Sequence, residues 1–299
     1  MGSERLHHRL GSYRAFPCSE EIVGNGLPQL VNSESATRIN PEHLDVLACP
    51  ECRGNISPAL NCISCGHTFE TAGKVLRMLP GAPNPGGHWG THLPSIFKLG
   101  QAGTPRYHHD RFTSTIRGQW KNFRERAVVD TFLRRFPKGS RLVDMLCGMG
   151  RFSDLAHKRG LRYCGIDLNL DHVTYASEQT KDDRTLWIQG DLSAPPLRSS
   201  SMAAALCVRV SYYFDDDTLA CILSGVKRIS KEILLSYRDA GSMVGRWKSM
   251  RRRSSGKLSK NRTFSQVRDI AVQAGLRVMG GPFRLIALHH MQFIHLHGD

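Results

Sequence analysis

From about residue 119 to the end of the chain, short apolar runs of strand length alternate with segments of helical periodicity. Residues 119–136 have apolar side chains at helical spacing, and the compact apolar run 141–145 follows them. Strands that alternate with helices form parallel sheets, because each helix carries the chain back across the sheet. The sequence therefore predicts an α/β, doubly wound fold with helices on both faces of the sheet. The chain ends in an apolar run, 285–296, and its terminal sequence HHMQFIHLH (289–297) is expected to be an edge strand.

A glycine-containing turn follows the first of these strands, in the sequence RLVDMLCGMGRF. Gly148 and Gly150 permit a tight turn and a close approach between a ligand and the backbone. Asp144 lies at the end of this strand, and the next two strands end in Asp167 and Asp191. A carboxylate at the second strand end can accept hydrogen bonds from ribose hydroxyls, and one at the third can reach an adenine amino group. The pattern therefore predicts a nucleotide-binding edge.

A dehydrogenase is the first alternative, because dehydrogenases bind a pyrophosphate at a G-x-G-x-x-G turn. Here Ser153 stands at the third glycine position, and Asp144 would lie close to the phosphates, where a negative charge is unfavourable. A cationic sulfonium and an amino group prefer acidic surroundings. The residues favour a sulfonium cofactor over a dinucleotide.

Two C-x-x-C pairs precede this region: Cys49 with Cys52, and Cys62 with Cys65. Four thiolates at this spacing suit a tetrahedral Zn²⁺ ion. His67 is an alternative fourth ligand, although Cys65 is better spaced. A redox pair is the other alternative, but thioredoxin-type pairs occur inside βαβ units, and this segment shows no such pattern. So short a segment needs the metal to fold, so the predicted Zn²⁺ is structural.

Composition excludes several classes of protein. No apolar run is long enough to span a bilayer as a helix, and the first residues lack the apolar stretch of a secretory signal. Nine cysteines, an odd number that includes five scattered ones, indicate a reducing compartment, so we expect a cytoplasmic protein. The formal net charge of +15 favours polyanionic partners such as RNA or phosphorylated molecules.

The stretch from about 119 to 297 resembles the class I S-adenosylmethionine-dependent methyltransferases in VDMLCGMGRFSDLA, YCGIDLNLDHVTYAS and IQGDLSAPPL. The resemblance implies a Rossmann-like, seven-stranded sheet. It also implies that Asp144, Gly148 and Gly150 hold the methionine moiety, Asp167 holds the ribose, and Asp191 with Leu192 faces the adenine. Cys147, Leu168 and Arg209 complete the cofactor-binding residues expected from it. One departure is Leu146, which stands where the family usually has glycine.

Residues 47–80, with ACPEC, CISCGHTF and VLRMLP, resemble the zinc ribbons that precede or partner methyltransferases. Such ribbons occur in a small activator of RNA and protein methyltransferases and in rRNA guanine methyltransferases. The chain is accordingly divided into an irregular leader (1–42), a zinc ribbon (43–80), a linker and cofactor lid (81–118) and a methyltransferase domain (119–299).

Candidate acceptor-side residues lie in three segments: the loop with Tyr212 and Tyr213, the lid with His108 and His109, and the basic segment 246–262. Tyr212 and Tyr213 follow the fourth strand, and either could shape the acceptor pocket or serve as ordinary packing. His108 and His109 are candidate bases in the lid, with surface histidines as the alternative.

The segment 246–262 contains eight Lys or Arg residues and no acid; its candidate acceptor-binding residues are Arg246, Arg251, Arg252 and Arg253. A solvated loop is the alternative interpretation of this segment. The acceptor itself is expected to be RNA or a small or lipid-linked anionic metabolite. The alternative function is a non-catalytic nucleotide- or RNA-binding protein whose cofactor site is degenerate, a hypothesis that rests on Leu146.

Overall fold

A computed structural model describes residues 40–81, 114–182, 184–243, 245–246, 260–281 and 291–299. The predictions for most of the leader and most of the lid, for His108 and His109, and for Arg251, Arg252 and Arg253 lie outside the described residues. These predictions therefore stay predictions.

The described elements alternate as the sequence predicts. The helices are α1 (Pro41–Leu44), α2 (Ile116–Leu133), α3 (Ser153–Lys158), α4 (Leu170–Gln179), α5 (Asp216–Ile229) and α6 (Phe264–Gln273). The strands are β1 (Glu70–Ala72), β2 (Val75–Met78), β3 (Arg141–Met145), β4 (Arg162–Asp167), β5 (Leu186–Gly190), β6 (Ala204–Cys207), β7 (Glu232–Arg238), β8 (Leu276–Gly280) and β9 (Met291–Gly298). Strand β3 has the predicted bounds.

The sheet of the described chain has nine strands in the order β1-β2-β5-β4-β3-β6-β7-β9-β8, so the prediction of seven strands was wrong in number. Seven of them, β3 to β9, come from the predicted α/β region. The other two form an antiparallel hairpin at the end of the ribbon, and β2 pairs in parallel with β5, with Met78 beside Gly190. The ribbon and the α/β region therefore share one sheet.

The last strand differs from the prediction as well. Strand β9 was expected at an edge, but it lies between β7 and β8 and pairs antiparallel with both. The physical reason is its burial on both faces: six consecutive residues from Met291 are buried. A strand covered on both faces belongs inside a sheet.

Helices cover both faces of the sheet, as predicted. One core joins α2, α3 and α4 to the sheet and includes Val129, Phe132, Ala156, Val173 and Trp187. The other joins α5 and α6 and includes Leu219, Leu223, Val267 and Ile270. This second core also contains ribbon side chains, among them Leu47, Ile56, Leu60 and Phe69. Burial of these side chains stabilises the ribbon against the sheet.

Candidate functional site

The four ribbon cysteines lie together. The sulfur atoms of Cys49, Cys52, Cys62 and Cys65 are all within 4.8 Å of one another. Cys49 and Cys65 are separated by 3.7 Å between sulfurs, and Cys52 and Cys62 by 3.3 Å. Sulfur–sulfur distances near 3.8 Å follow from a tetrahedron with Zn–S bonds of about 2.3 Å. The donor set and the spacing therefore fit a single zinc ion.

The backbone around these sulfurs has the tight turns that such a site needs. The N–H of Gly54 donates to Sγ of Cys52 at 3.4 Å. A Cβ atom at Gly54 would meet the side chain of Ser64 and lie 2.9 Å from Sγ of Cys62, so a larger residue there would force these side chains to move. The cluster contains the four cysteines and not His67, whose ring lies 4.7 Å from that of Phe69. The alternative of His67 as the fourth ligand is therefore not supported.

The ribbon is attached to the loop after β5 by backbone hydrogen bonds. The N–H of Ala48 donates to the carbonyl of Pro196 at 3.1 Å, and the N–H of Arg198 donates to the carbonyl of Val46 at 2.8 Å. Arg198 Nε also donates to the carbonyl of Leu47 at 3.0 Å. The cluster of cysteines thus stands on a segment that is fixed to the main domain.

The glycine turn after β3 has the left-handed backbone that its sequence predicts. Leu146, Gly148 and Gly150 have φ angles of 63°, 55° and 66°. A Cβ atom at Gly150 would lie 2.4 Å from Cη2 of Trp187, whereas one at Gly148 would meet nothing within 4 Å. The turn is therefore packed on its Trp187 side and open at Gly148. Leu146 carries a Cβ atom and adopts this left-handed conformation at a cost of about 1–2 kcal/mol.

Asp167, at the end of β4, is bonded directly to this turn. Its Oδ2 accepts from the N–H of Gly148 at 2.7 Å, and its Oδ1 accepts from the N–H of Asn169 at 2.9 Å. Burial raises the pKa of Asp167, although His172 and the backbone N–H groups act in the opposite direction. Each oxygen keeps acceptor capacity, because a carboxylate offers about four lone-pair sites. The carboxylate of Asp167 thus connects the end of β4 to the turn that follows β3.

Asp191 follows β5, the next strand in the sheet. Its Oδ1 accepts from the N–H of Ser193 at 2.8 Å, and its Oδ2 accepts from the hydroxyl of Ser193 at 2.7 Å. Burial raises the pKa of Asp191. The neighbouring Leu192 is buried, and Leu168 on the adjacent loop is half-buried. The ends of the neighbouring parallel strands β4 and β5 therefore carry Asp167 and Asp191 at the same edge of the sheet.

Asp144 faces the interior below the turn. Its Oδ2 accepts a hydrogen bond of 2.7 Å from the hydroxyl of Tyr163, and burial raises its pKa to about 7. Cys147 is also buried, and burial together with the charges of Asp167 and Asp144 raises the pKa of its thiol. Cys147 is therefore held as a thiol that packs beneath the turn.

Two further charged residues, Glu125 and Arg151, meet the predicted Arg209 at this edge, and the sequence analysis missed both. Glu125 of α2 is 1% exposed and accepts from Arg209 Nε at 3.0 Å; its Oε2 lies 2.8 Å from Nη1 of Arg151. Burial opposes ionisation of Glu125, but Arg151 and Arg209 outweigh it and lower its pKa to about 2. The three charges sum to +1. Arg151 could have been found, since it directly follows Gly150; Glu125 gave no signal because its partners are distant in sequence.

Arg209, a predicted cofactor residue, is buried and has a φ of 68°. Burial works against its charge, but Glu125 and Tyr212 raise its pKa above the ordinary value. Its N–H donates to the hydroxyl of Ser236 at 2.7 Å, which fixes the start of the loop after β6. The side chain therefore links α2 to that loop.

The two tyrosines of this loop have different surroundings. Tyr212 is 1% exposed, and the guanidinium carbon of Arg238 lies 3.5 Å from its ring centroid. Tyr213 is half-buried, and the two tyrosine rings are 4.6 Å apart. Tyr212 thus packs inside the domain, and Tyr213 is the more accessible of the two.

The basic segment 246–262 returns to the sheet beside the same loop. Arg262 is 3% exposed, donates to Asp216 Oδ1 at 2.8 Å and donates to the carbonyl of Phe214 at 2.7 Å. The N–H of Lys260 donates to the carbonyl of Tyr212 at 3.2 Å. Arg262 is therefore a structural residue and not one of the solvated cations that the sequence suggested. Arg246 is exposed.

Comparison with known proteins agrees with this geometry. Residues 142–232 match the family model described as a methyltransferase domain. Magnesium protoporphyrin IX methyltransferase from Synechocystis PCC 6803, solved with bound SAH, has a TM-score of 0.53 and 14% identity over 66% of this chain and 95% of that one. No curated protein sequence matches significantly.

Two other structural matches have lower scores. A chain of the complex between the Haloferax volcanii Trm112 methyltransferase activator and a methyltransferase has a TM-score of 0.49 and 16% identity, over 67% of this chain and 97% of that one. An S-adenosylmethionine-dependent methyltransferase from Mesorhizobium loti has a TM-score of 0.46 and 17% identity, over 55% and 95%.

Residues 142–232 thus match a methyltransferase domain, and the fold of the described chain is similar to that of a methyltransferase solved with bound SAH. The cysteine cluster of the ribbon precedes it, as predicted. Among the described helices, none is long and apolar enough to cross a membrane.

Proposed function

We propose that the protein is an S-adenosylmethionine-dependent methyltransferase that transfers a methyl group in line to an anionic acceptor. The observation that carries the proposal is the bond between Asp167 and the N–H of Gly148 at the open face of the glycine turn. A carboxylate beside a backbone that a ligand can approach closely is the arrangement expected for binding of a ribose, and it supports the proposal. The cofactor supplies a methyl group activated by attachment to a sulfonium.

Each edge residue has a part in cofactor binding under this proposal. Asp167 accepts from the ribose hydroxyls, with Leu168 beside it, and Asp191 with Leu192 holds the adenine. Asp144, Cys147, Gly148 and Gly150 shape the methionine side. The excess positive charge of Arg151 and Arg209 over Glu125 suits the methionine carboxylate, because a buried guanidinium pairs well with a carboxylate.

Catalysis would come mainly from positioning. An in-line displacement depends on holding nucleophile, methyl and sulfur in line in a site that excludes water. Tyr213 is the candidate for contact with the acceptor, and Tyr212 forms the buried support behind it. His108 and His109 stay candidates for a base, which is needed only for an acceptor that is protonated at neutral pH.

We propose a structural Zn²⁺ ion held by Cys49, Cys52, Cys62 and Cys65. The ion would cross-link the ends of a segment whose own core is small, and its binding free energy would contribute to folding. The location proposed from the free cysteines is the cytoplasm.

The acceptor is proposed to be RNA or a small or lipid-linked anionic metabolite. The net charge of +15 supports this class. The exposed Arg246, together with Arg251, Arg252 and Arg253, would contact it, because the described end of their segment lies beside the loop that carries Tyr212 and Tyr213.

The experiment is a transfer assay with radiolabelled S-adenosylmethionine over total RNA, lipid and small-metabolite fractions, with Asp167→Ala as the inactive control. Label that enters one fraction with the parent and not with the control supports the proposal and identifies the acceptor class. Binding of the cofactor without label in any fraction would support the alternative of a non-catalytic binding protein. That alternative rests on Leu146, which has a φ of 63° and stands where the family usually has glycine.

A further inference from the structure

Strand β5 carries one polar side chain in an otherwise apolar sequence, LWIQG. This residue is Gln189, and it is 9% exposed. Its neighbours in the sheet register are Arg77 on the ribbon strand β2 and Asp167 on β4. Gln189 therefore stands in a row between a ribbon residue and the carboxylate of the cofactor edge.

Hydrogen bonds connect this row. Arg77 Nε donates to Gln189 Oε1 at 3.1 Å, and Gln189 Nε2 donates to the carbonyl of Leu168 at 3.2 Å. Leu168 directly follows Asp167. The ribbon is thus joined to the turn of Asp167 through one amide.

The orientation of the amide depends on Arg77. A guanidinium has only donors, so it accepts no bond and requires the oxygen of the amide to face it. The amide nitrogen must then face Leu168, where a carbonyl accepts its proton. Without Arg77 the amide could rotate and place its oxygen against that carbonyl, which would repel the Leu168 turn.

We propose that Arg77 and Gln189 are positioning residues for Asp167, so that the ribbon hairpin sets the affinity of the cofactor edge for ribose. This inference rests on the proposed function, because it assigns Asp167 to the ribose of S-adenosylmethionine. It gives the ribbon a role in cofactor binding in addition to its role in folding.

The structure supplies a matched control. Arg77 also pairs with Glu70, at 2.9 Å between Nη1 and Oε2, but this pair is largely exposed. Exposed ion pairs contribute little to the stability of the fold. Glu70→Gln therefore removes a partner of Arg77 and leaves the bond between Arg77 and Gln189 in place.

The test measures dissociation constants by calorimetry for two probes, S-adenosylhomocysteine and its 2′-deoxyadenosyl counterpart. The proteins are the full-length parent, Gln189→Glu, Arg77→Met and Glu70→Gln. Gln189→Glu keeps an acceptor for Arg77 but loses the donor to Leu168. We expect it to weaken S-adenosylhomocysteine binding about five- to tenfold, the effect of one lost hydrogen bond, and Arg77→Met about threefold. Glu70→Gln is expected to bind as the parent does.

The second probe separates positioning from a general loss of structure. If Gln189 acts through Asp167, the variants lose much less affinity for the deoxy probe, since part of the positioned interaction is already absent. Equal loss of both probes, or unchanged affinity for S-adenosylhomocysteine in both variants, would overturn the positioning role. A parent that binds neither probe would instead overturn the proposed function.

Discussion

The hydroxyl of Tyr163 donates a hydrogen bond of 2.7 Å to Oδ2 of Asp144 in the interior of the domain. Both side chains are buried, with exposures of 1% and 2%. Burial raises the pKa of Asp144 from 3.8 to about 7, and the bond from Tyr163 offsets only part of this effect. The folded protein therefore holds a proton on Asp144 over a pH range in which the unfolded chain has released it.

Because the folded state binds the extra proton, Asp144 lowers the free energy of unfolding as the pH rises from about 4 to about 7. Asp144→Asn keeps an acceptor for Tyr163 and removes this penalty. We expect the variant without cofactor to be more stable than the parent by roughly 2–4 kcal/mol at pH 8, and the gain to shrink at pH 5. Thermal melts at both pH values check this. The control is Asp45→Asn, which changes an exposed carboxylate. If Asp144→Asn gained the same stability at pH 8 and at pH 5, the result would contradict the proton assigned to Asp144.

Leu146, at a φ of 63°, gives a second prediction. In this conformation glycine is favoured over residues with a Cβ atom. Leu146→Gly should therefore be more stable than Leu146→Ala by about 1 kcal/mol in urea unfolding, which reverses the usual order of the two residues. Thr131, an exposed position inside α2, should show the usual order, with Ala more stable than Gly. Alanine that is the more stable residue at both positions would show that residue 146 is not strained.

Periodicity was sufficient to predict the alternating elements, because an amphipathic helix and a buried strand differ in the spacing of apolar residues. The placement of Asp144, Asp167 and Asp191 near one edge of the sheet followed from parallel strands, whose carboxyl ends meet there, and nucleotide binding at this edge stays a prediction. The number of strands did not follow, since β1 and β2 are only three and four residues long and lie in a segment dominated by cysteine spacing. The pairing of β2 with β5 joins residues more than a hundred positions apart, which no local pattern records.

Charge pairing was equally hidden from local patterns. The ion pairs of Glu125 with Arg151 and Arg209 arise from packing of α2 against the strand ends. Arg262 was counted with the cations of a basic run, but its contacts with Asp216 and Phe214 make it part of the fold. Sequence composition shows that charges are present and does not show which of them are neutralised.

Metal content is the third prediction. We expect one Zn²⁺ per chain in metal analysis of the purified protein, and its loss in the double variant Cys49→Ser with Cys62→Ser, because two sulfurs of the cluster are then missing. Cys221→Ser changes a half-buried cysteine outside the cluster and should keep the metal. Zinc that persists in the double variant, or a parent without zinc, would remove the ion from the ribbon.

The basic segment gives the fourth prediction. If the acceptor is RNA, the affinity should fall steeply with salt, because each neutralised phosphate releases a counterion. Replacement of Arg251, Arg252 and Arg253 by alanine should flatten this slope and leave S-adenosylmethionine binding unchanged. Filter binding over a range of salt concentrations measures it. The same slope and the same transfer rate in the triple variant would make the segment a solvated loop and favour a small-molecule acceptor.

The central claim is that the edge around Asp167 binds S-adenosylmethionine, and titration calorimetry with the cofactor tests it most directly. The parent should bind one molecule per chain. Asp167→Ala should lose roughly a hundredfold or more in affinity, because two hydrogen bonds to a charged acceptor contribute about 1.5–3 kcal/mol each, and should still melt cooperatively. A parent that binds no cofactor, or a variant that binds it as tightly as the parent, would contradict the account.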